Sequence, residues 1–172
     1  MGLLRNGWFR HIVLTGALVT LSLVFFIAHA EAWVDTHRPV GLGAVGIDLV
    51  AVTLFAIRRQ PLTASRLAVA WIVAIVGGYG LLLLRPDYEP VGELDDVYTT
   101  LQVVASVAGA ASLLTLGRSF GIVAANRGVR TTGPYAFVRH PTYLAYFIIM
   151  AAYVLENPSY RNAVIVAIVG RR

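Results

Sequence analysis

Cysteine is absent from the 172 residues, and so is lysine, because all 14 basic residues are arginine. Without a thiol the chain can form no disulfide, no thiolate nucleophile, no thiolate zinc site and no iron–sulfur cluster. Charge is scarce as well. Charged residues make up 13% of the chain, against roughly 25% in a soluble domain. What replaces them is apolar: 58% of residues are hydrophobic and the mean hydropathy is +0.72. A membrane protein is expected. The formal net charge of +5 is dispersed, with no basic stripe interleaved with aromatics, so nucleic acid is not an expected partner. Arginine without lysine points toward a GC-rich bacterial genome and hence a bacterial cytoplasmic (inner) membrane.

The apolar residues gather into five long stretches, about Ile12 to Trp33, Val40 to Ile57, Leu67 to Leu84, Val97 to Gly117 and Pro141 to Leu155. Each is near the roughly 20 residues that a bilayer-spanning helix needs. A sixth starts at Asn162 and holds only Ala163 to Gly170 before Arg171 and Arg172. Eight residues of helix cover about 12 Å of a hydrocarbon core of about 30 Å. The fold expected is all-α: a single integral membrane domain over residues 1–172, a polytopic bundle of five to six transmembrane helices. Its last helix reads as cut off.

Arginines set the orientation, since cytoplasmic loops collect them. With the N-terminus cytoplasmic, the inner side receives Arg5, Arg10, Arg58, Arg59, Arg66, Arg118, Arg127, Arg130, Arg139, Arg171 and Arg172, and no acid. The outer side receives Arg38, Arg85 and Arg161 against Glu31, Asp35, Asp87, Glu89, Glu93, Asp95, Asp96 and Glu156. Ala28-His29-Ala30 imitates a signal-peptide cleavage site. With Met1 retained, the stretch is read as a first membrane helix.

Three features invite a functional reading. Gly41 to Gly46, GLGAVG, has the letters of a dinucleotide fingerprint, but that motif works only between a strand and a helix. Here it opens a membrane helix, where small residues let helices approach; Gly77, Gly78, Gly80 and the run Ala105 to Ser112 read the same way. His29, Glu31, Asp35 and His37 crowd one helix end without the spacing that puts two metal ligands on one face, so interfacial polarity is the reading and no metal is expected. Asp48 lies near the middle of the second helix, where an ionisable group is a site candidate by default. A hydrogen-bonded packing residue is the other reading, and the sequence names no partner.

The longest polar interruption on the expected cytoplasmic side is residues 118–140. Gly133 before Pro134 allows a sharp turn. His140 precedes Pro141, which biases it to extended backbone, and proline suits the first turn of a helix. A helix is therefore expected to begin at Pro141 with His140 at its N-cap. The free N–H groups of Thr142 and Tyr143 would then face the loop with the positive end of the helix dipole. Arg127, Arg130 and Arg139 nearby make this a candidate site for an anionic group, and Tyr135, Phe137 and Tyr143 offer flat faces for a ring. An interfacial belt touching lipid phosphates is the bland alternative. A belt, however, has no need of His-Pro at a helix start or Gly-Pro seven residues before it.

GPYAFVRHPTYLAYF, with GRSFGIV upstream and GVRTTG between, resembles the signature of the isoprenylcysteine carboxyl methyltransferase family and its phospholipid methyltransferase relatives. The likeness is specific over residues 117–147 and general elsewhere. It implies S-adenosylmethionine bound by the 118–140 loop at the cytoplasmic face, with contacts from Arg127, Gly128, Val129, Arg130, Tyr135, His140, Pro141, Thr142 and Tyr143. Arg139 and His140 become the candidate catalytic residues, and Arg171 and Asp48 the candidate substrate-binding ones. Relatives often have glycine where this chain has Ala145. They also continue from the last helix into an arginine and paired glutamates that help hold the cofactor; Gly170-Arg171-Arg172 resembles the start of that motif, and the glutamates are absent.

The reaction implied is displacement of a methyl group from a sulfonium by a lipid-borne nucleophile. Dehydration and alignment would supply most of the acceleration, without a catalytic dyad. Prenylated carboxylate, phospholipid amine, fatty acid and quinone-like phenol remain open as acceptors. Two rivals stand beside this reading. Membrane sterol and steroid reductases, which use NADPH, share an Arg-His-Pro-x-Tyr element but usually have asparagine where this chain has Thr142. A non-catalytic scaffold with a degenerate methyltransferase fold would account for the missing glutamates.

Overall fold

The computed structural model describes residues 7–58, 63–64, 69, 72, 94–121, 125–126 and 131–169. The expected span Leu67 to Leu84 lies outside the described residues almost entirely, as do Arg127, Gly128, Val129, Arg130 and Arg171. What is described is helical: α1 (Gly7–Thr36), α2 (Pro39–Ile57), α3 (Asp95–Leu116), α4 (Pro141–Glu156) and α5 (Tyr160–Val169). Short 3-10 turns at Gly117–Ser119 and Gly133–Ala136 flank the loop between α3 and α4. Its one extended contact among the described residues is an antiparallel pairing of Thr63–Ala64 with Ala125–Asn126.

Among the described residues, three helices are long and apolar enough to cross a membrane: Ile12–Thr36, Pro39–Ile57 and Asp95–Ser119. The fourth, α4, is apolar but has 16 residues, about 24 Å of helix against a hydrocarbon core of about 30 Å. For the stretches that are described, the expected helix starts and ends hold to within about five residues. Proline does much of that work, standing first in both α2 and α4, where its missing N–H costs nothing.

The helices pack in chain order, α1 on α2, α2 on α3 and α3 on α4. Between α1 and α2 the chain reverses through His37, at φ 51°, and extended Arg38. Small residues set the spacing. A Cβ on Gly41 would stand 2.8 Å from Trp33 Cβ, and one on Gly43 2.9 Å from Ser106 Cβ. The GLGAVG stretch is thus a packing surface at these two positions, while Gly46 faces open space. In α3, Gly109 lies against Ala145 of α4 and close to Ile47 of α2. Core side chains include Leu18, Phe25, Leu54, Phe55, Leu113 and Met150, whereas Val24, Ile27, Leu42, Leu49, Val104 and Val107 point outward. Apolar residues on the outside are what a lipid solvent requires.

The bundle end formed by Arg38, the start of α3 and the end of α4 is tied by polar groups. Arg38 Nη2 donates to both carboxylate oxygens of Asp95 at 3.1 and 3.0 Å, to Thr99 Oγ1 at 3.4 Å, and to Glu156 Oε1. Gln102 Nε2 donates to Glu156 Oε2 at 2.6 Å. Gln102 and Glu156 are 1% and 4% exposed. The wholly buried Asn162 Nδ2 reaches the Asn157 carbonyl at 3.1 Å and joins α5 to the end of α4.

Candidate functional site

Opposite that end lies the junction of the loop with α4. Gly133 adopts φ 59°, a left-handed conformation that glycine enters without a Cβ penalty, and a Cβ there would stand 3.2 Å from Thr115 Oγ1. The turn Gly133–Ala136 is thereby seated on the last turn of α3. His140, at φ −133° and ψ 65°, is the N-cap of α4, and no side chain among the described residues caps the helix. The first-turn amides of Thr142 and Tyr143 therefore keep their donors and the dipole's positive end for another group.

Around this start the side chains are ordered. Tyr135 Oη and Thr142 Oγ1 share a hydrogen bond of 2.9 Å, fastening the turn to the helix. His140 and Tyr143 place their rings 5.6 Å apart at 35°. Burial pushes the Tyr135 phenol above its ordinary pKa; the bond to Thr142 works against that, and neighbouring Tyr143 adds slightly to it. The phenol is therefore protonated at neutral pH and can serve as a donor. Pro141 is buried, while Arg139, His140 and Tyr143 are exposed.

A groove of about 240 Å³ runs between α3 and α4 to this junction. Leu101, Val104, Ala105, Ala108, Ala111 and Ser112 line one wall, Leu144, Ala145 and Ile148 the other, and Pro134 and Pro141 close the loop end. Ser112 turns its hydroxyl to the Ala108 carbonyl at 2.7 Å, so the lining is hydrocarbon. Leu101, Val104, Ala108, Ala111 and Leu144 are exposed, so the groove faces sideways, toward lipid. The run Ala105 to Ser112, expected only to pack helices, also shapes this groove; its small residues at i, i+3 and i+4 spacing were the available signal.

Of the expected site residues, Tyr135, Arg139, His140, Pro141, Thr142 and Tyr143 come together at this junction. Asp48 is elsewhere. Its Oδ2 lies 2.6 Å from His29 Nδ1, between α1 and α2, and it is not part of the groove's lining. His29, read from sequence as one of an interfacial cluster, is the partner Asp48 lacked on paper. Among the described residues no group of three or more His, Asp or Glu side chains is placed to hold a metal.

Residues 98–171 match the family model of the isoprenylcysteine carboxyl methyltransferase (ICMT) family. That region takes in nearly all of α3, the loop, α4 and α5, and leaves α1 and α2 outside it. No curated protein and no solved structure matches the chain.

Proposed function

From an isoprenylcysteine carboxyl methyltransferase-like region joined to apolar helices long enough to span a membrane, we propose that the chain is a membrane methyltransferase that uses S-adenosylmethionine. Its acceptor is lipid-embedded and is methylated at the cytoplasmic face. The observation that carries this reading is the uncapped start of α4 at the end of an apolar, lipid-facing groove.

The residues fit the cofactor's chemistry. S-adenosylmethionine carries a carboxylate and an adenine ring and, when bound, supplies an electrophilic methyl group on a sulfonium. The free amides of Thr142 and Tyr143 suit the carboxylate. Tyr135, His140 and Tyr143 offer ring faces and donors. Arg127 and Arg130, with the backbone of Gly128 and Val129, are assigned to the same task.

The acceptor's tail lies in the α3–α4 groove, which brings its polar end to Pro134 and Pro141. Of the two arginines that the resemblance offers for an acidic acceptor, Arg171 is assigned that contact, because a guanidinium matches a carboxylate or phosphate in two parallel hydrogen bonds. A carboxylate acceptor is already a nucleophile and needs no general base. The hydrocarbon walls keep water from its oxygens, and alignment supplies the rest of the acceleration.

The test is calorimetric titration of the purified protein in lipid nanodiscs. S-adenosylmethionine binding, with NADPH silent, followed by transfer of labelled methyl into a lipid extract, is the expected outcome. Binding of NADPH alone would replace the reading with a reductase, and binding of neither with a scaffold.

A further inference from the structure

Residues 137–139 stand apart from the rest of the junction. Tyr135 and Thr142 turn toward each other, but Phe137 is 90% exposed, the most exposed large apolar side chain among the described residues. Val138 beside it is exposed too. Arg139 is exposed and has no hydrogen bond or ion pair among the described residues.

Their depth follows from the antiparallel packing of α3 and α4. Gly109 of α3 lies against Ala145 of α4, and Gly133 against Thr115. Pro141 is four residues before Ala145, about 6 Å nearer the loop end, which is the level of Leu113. Residues 133–141 therefore lie beside the last turn of α3, a helix of 22 residues and about 33 Å that crosses the whole hydrocarbon core. The loop turns back toward the membrane before α4 begins. Phe137 and Val138 are exposed apolar residues at this level, as Tyr143, Leu144 and Phe147 are on the first two turns of α4.

We propose that Phe137, Val138 and Arg139 form a membrane-boundary anchor for anionic phospholipid, with the Phe137 ring below the phosphate plane and the Arg139 guanidinium at a lipid phosphate. An aromatic ring at this level prefers the headgroup boundary to water, and the charge of Arg139 selects anionic lipid. The anchor holds the end of the α3–α4 groove within the leaflet on the loop side. It requires no methyl transfer, so its failure and the failure of the catalytic reading are separable.

The absence of native cysteine makes the experiment clean. Phe137→Cys carrying a nitroxide is reconstituted in phosphatidylglycerol–phosphatidylcholine vesicles, with Phe147→Cys as the lipid-facing reference and Thr131→Cys as the loop reference. The label at 137 is expected to match 147, open to oxygen and shielded from a water-soluble nickel chelate; a label closer to 131 overturns the anchor. Val138→Cys repeats the measurement should the label at 137 disturb insertion. Arg139→Gln is expected to lower the preference for spin-labelled phosphatidylglycerol over phosphatidylcholine about fivefold, the equivalent of one basic residue at an anionic surface. An unchanged preference removes the phosphate contact.

Discussion

The two ends of α4 are built on opposite terms. At its C-terminal end Glu156 is buried and engaged on both oxygens, by Arg38 and by Gln102, and Asn157 and Asn162 tie in α5. At its N-terminal end no side chain among the described residues caps the helix, and His140, Tyr143 and Arg139 are exposed. A buried polar group left unpaired is costly in a low-dielectric surround, and the first end meets that cost by pairing the Glu156 carboxylate internally, with Gln102 Oε1 the one buried acceptor there left without a partner among the described residues. The second leaves its donors and cations open. One helix is pinned at one end and receptive at the other, and substitutions should divide accordingly.

The largest effect is expected at the pinned end. Arg38→Ala strands the Glu156 carboxylate and should lower unfolding stability by about 3 kcal/mol in a denaturant titration in detergent. Replacing both partners, Arg38→Met with Glu156→Leu, should recover most of that loss. If the double variant were as unstable as the single one, the network would matter for more than satisfying its own charges.

A smaller loss is expected where the turn meets α3. Gly133→Ala forces a Cβ into a left-handed conformation beside Thr115, costing about 1–2 kcal/mol, and should also weaken S-adenosylmethionine binding because the turn carries Tyr135. Asp48→Ala removes the intramembrane bond to His29 at a cost of about 1 kcal/mol. Methyl transfer that survives this change would make the pair a fastening between α1 and α2, whereas transfer that collapses would restore Asp48 to the substrate site. The smallest effect on stability belongs to Tyr135→Phe. It deletes one hydrogen bond at the receptive end and should cut cofactor affinity about fivefold, the worth of about 1 kcal/mol, with little change in thermal unfolding.

The sequence made much of this division readable at one end and little at the other. Pro141 as a helix start, His140 before it and the turn at Gly133 are local decisions, dictated by proline's fixed φ and glycine's freedom, and they appear where the motif put them. Arg38 and Glu156 looked like ordinary outer-loop charges because their meeting, 118 positions apart, depends on how three helices are phased about their axes. The His29–Asp48 pair was hidden for the same reason, being a contact between two helices whose relative register no local pattern fixes. The lipid-facing groove was present on paper only as a run of small residues, since a stripe of alanines reads the same whether a helix or a lipid tail lies against it.

The central claim, that the open start of α4 is where the cofactor binds, is tested most directly by ultraviolet cross-linking of methyl-labelled S-adenosylmethionine to the protein in nanodiscs, followed by peptide mapping. Label confined to the segment from Thr131 to Phe147, and displaced by unlabelled cofactor, is the predicted result. Displaceable label on α1 or α2 instead would contradict it.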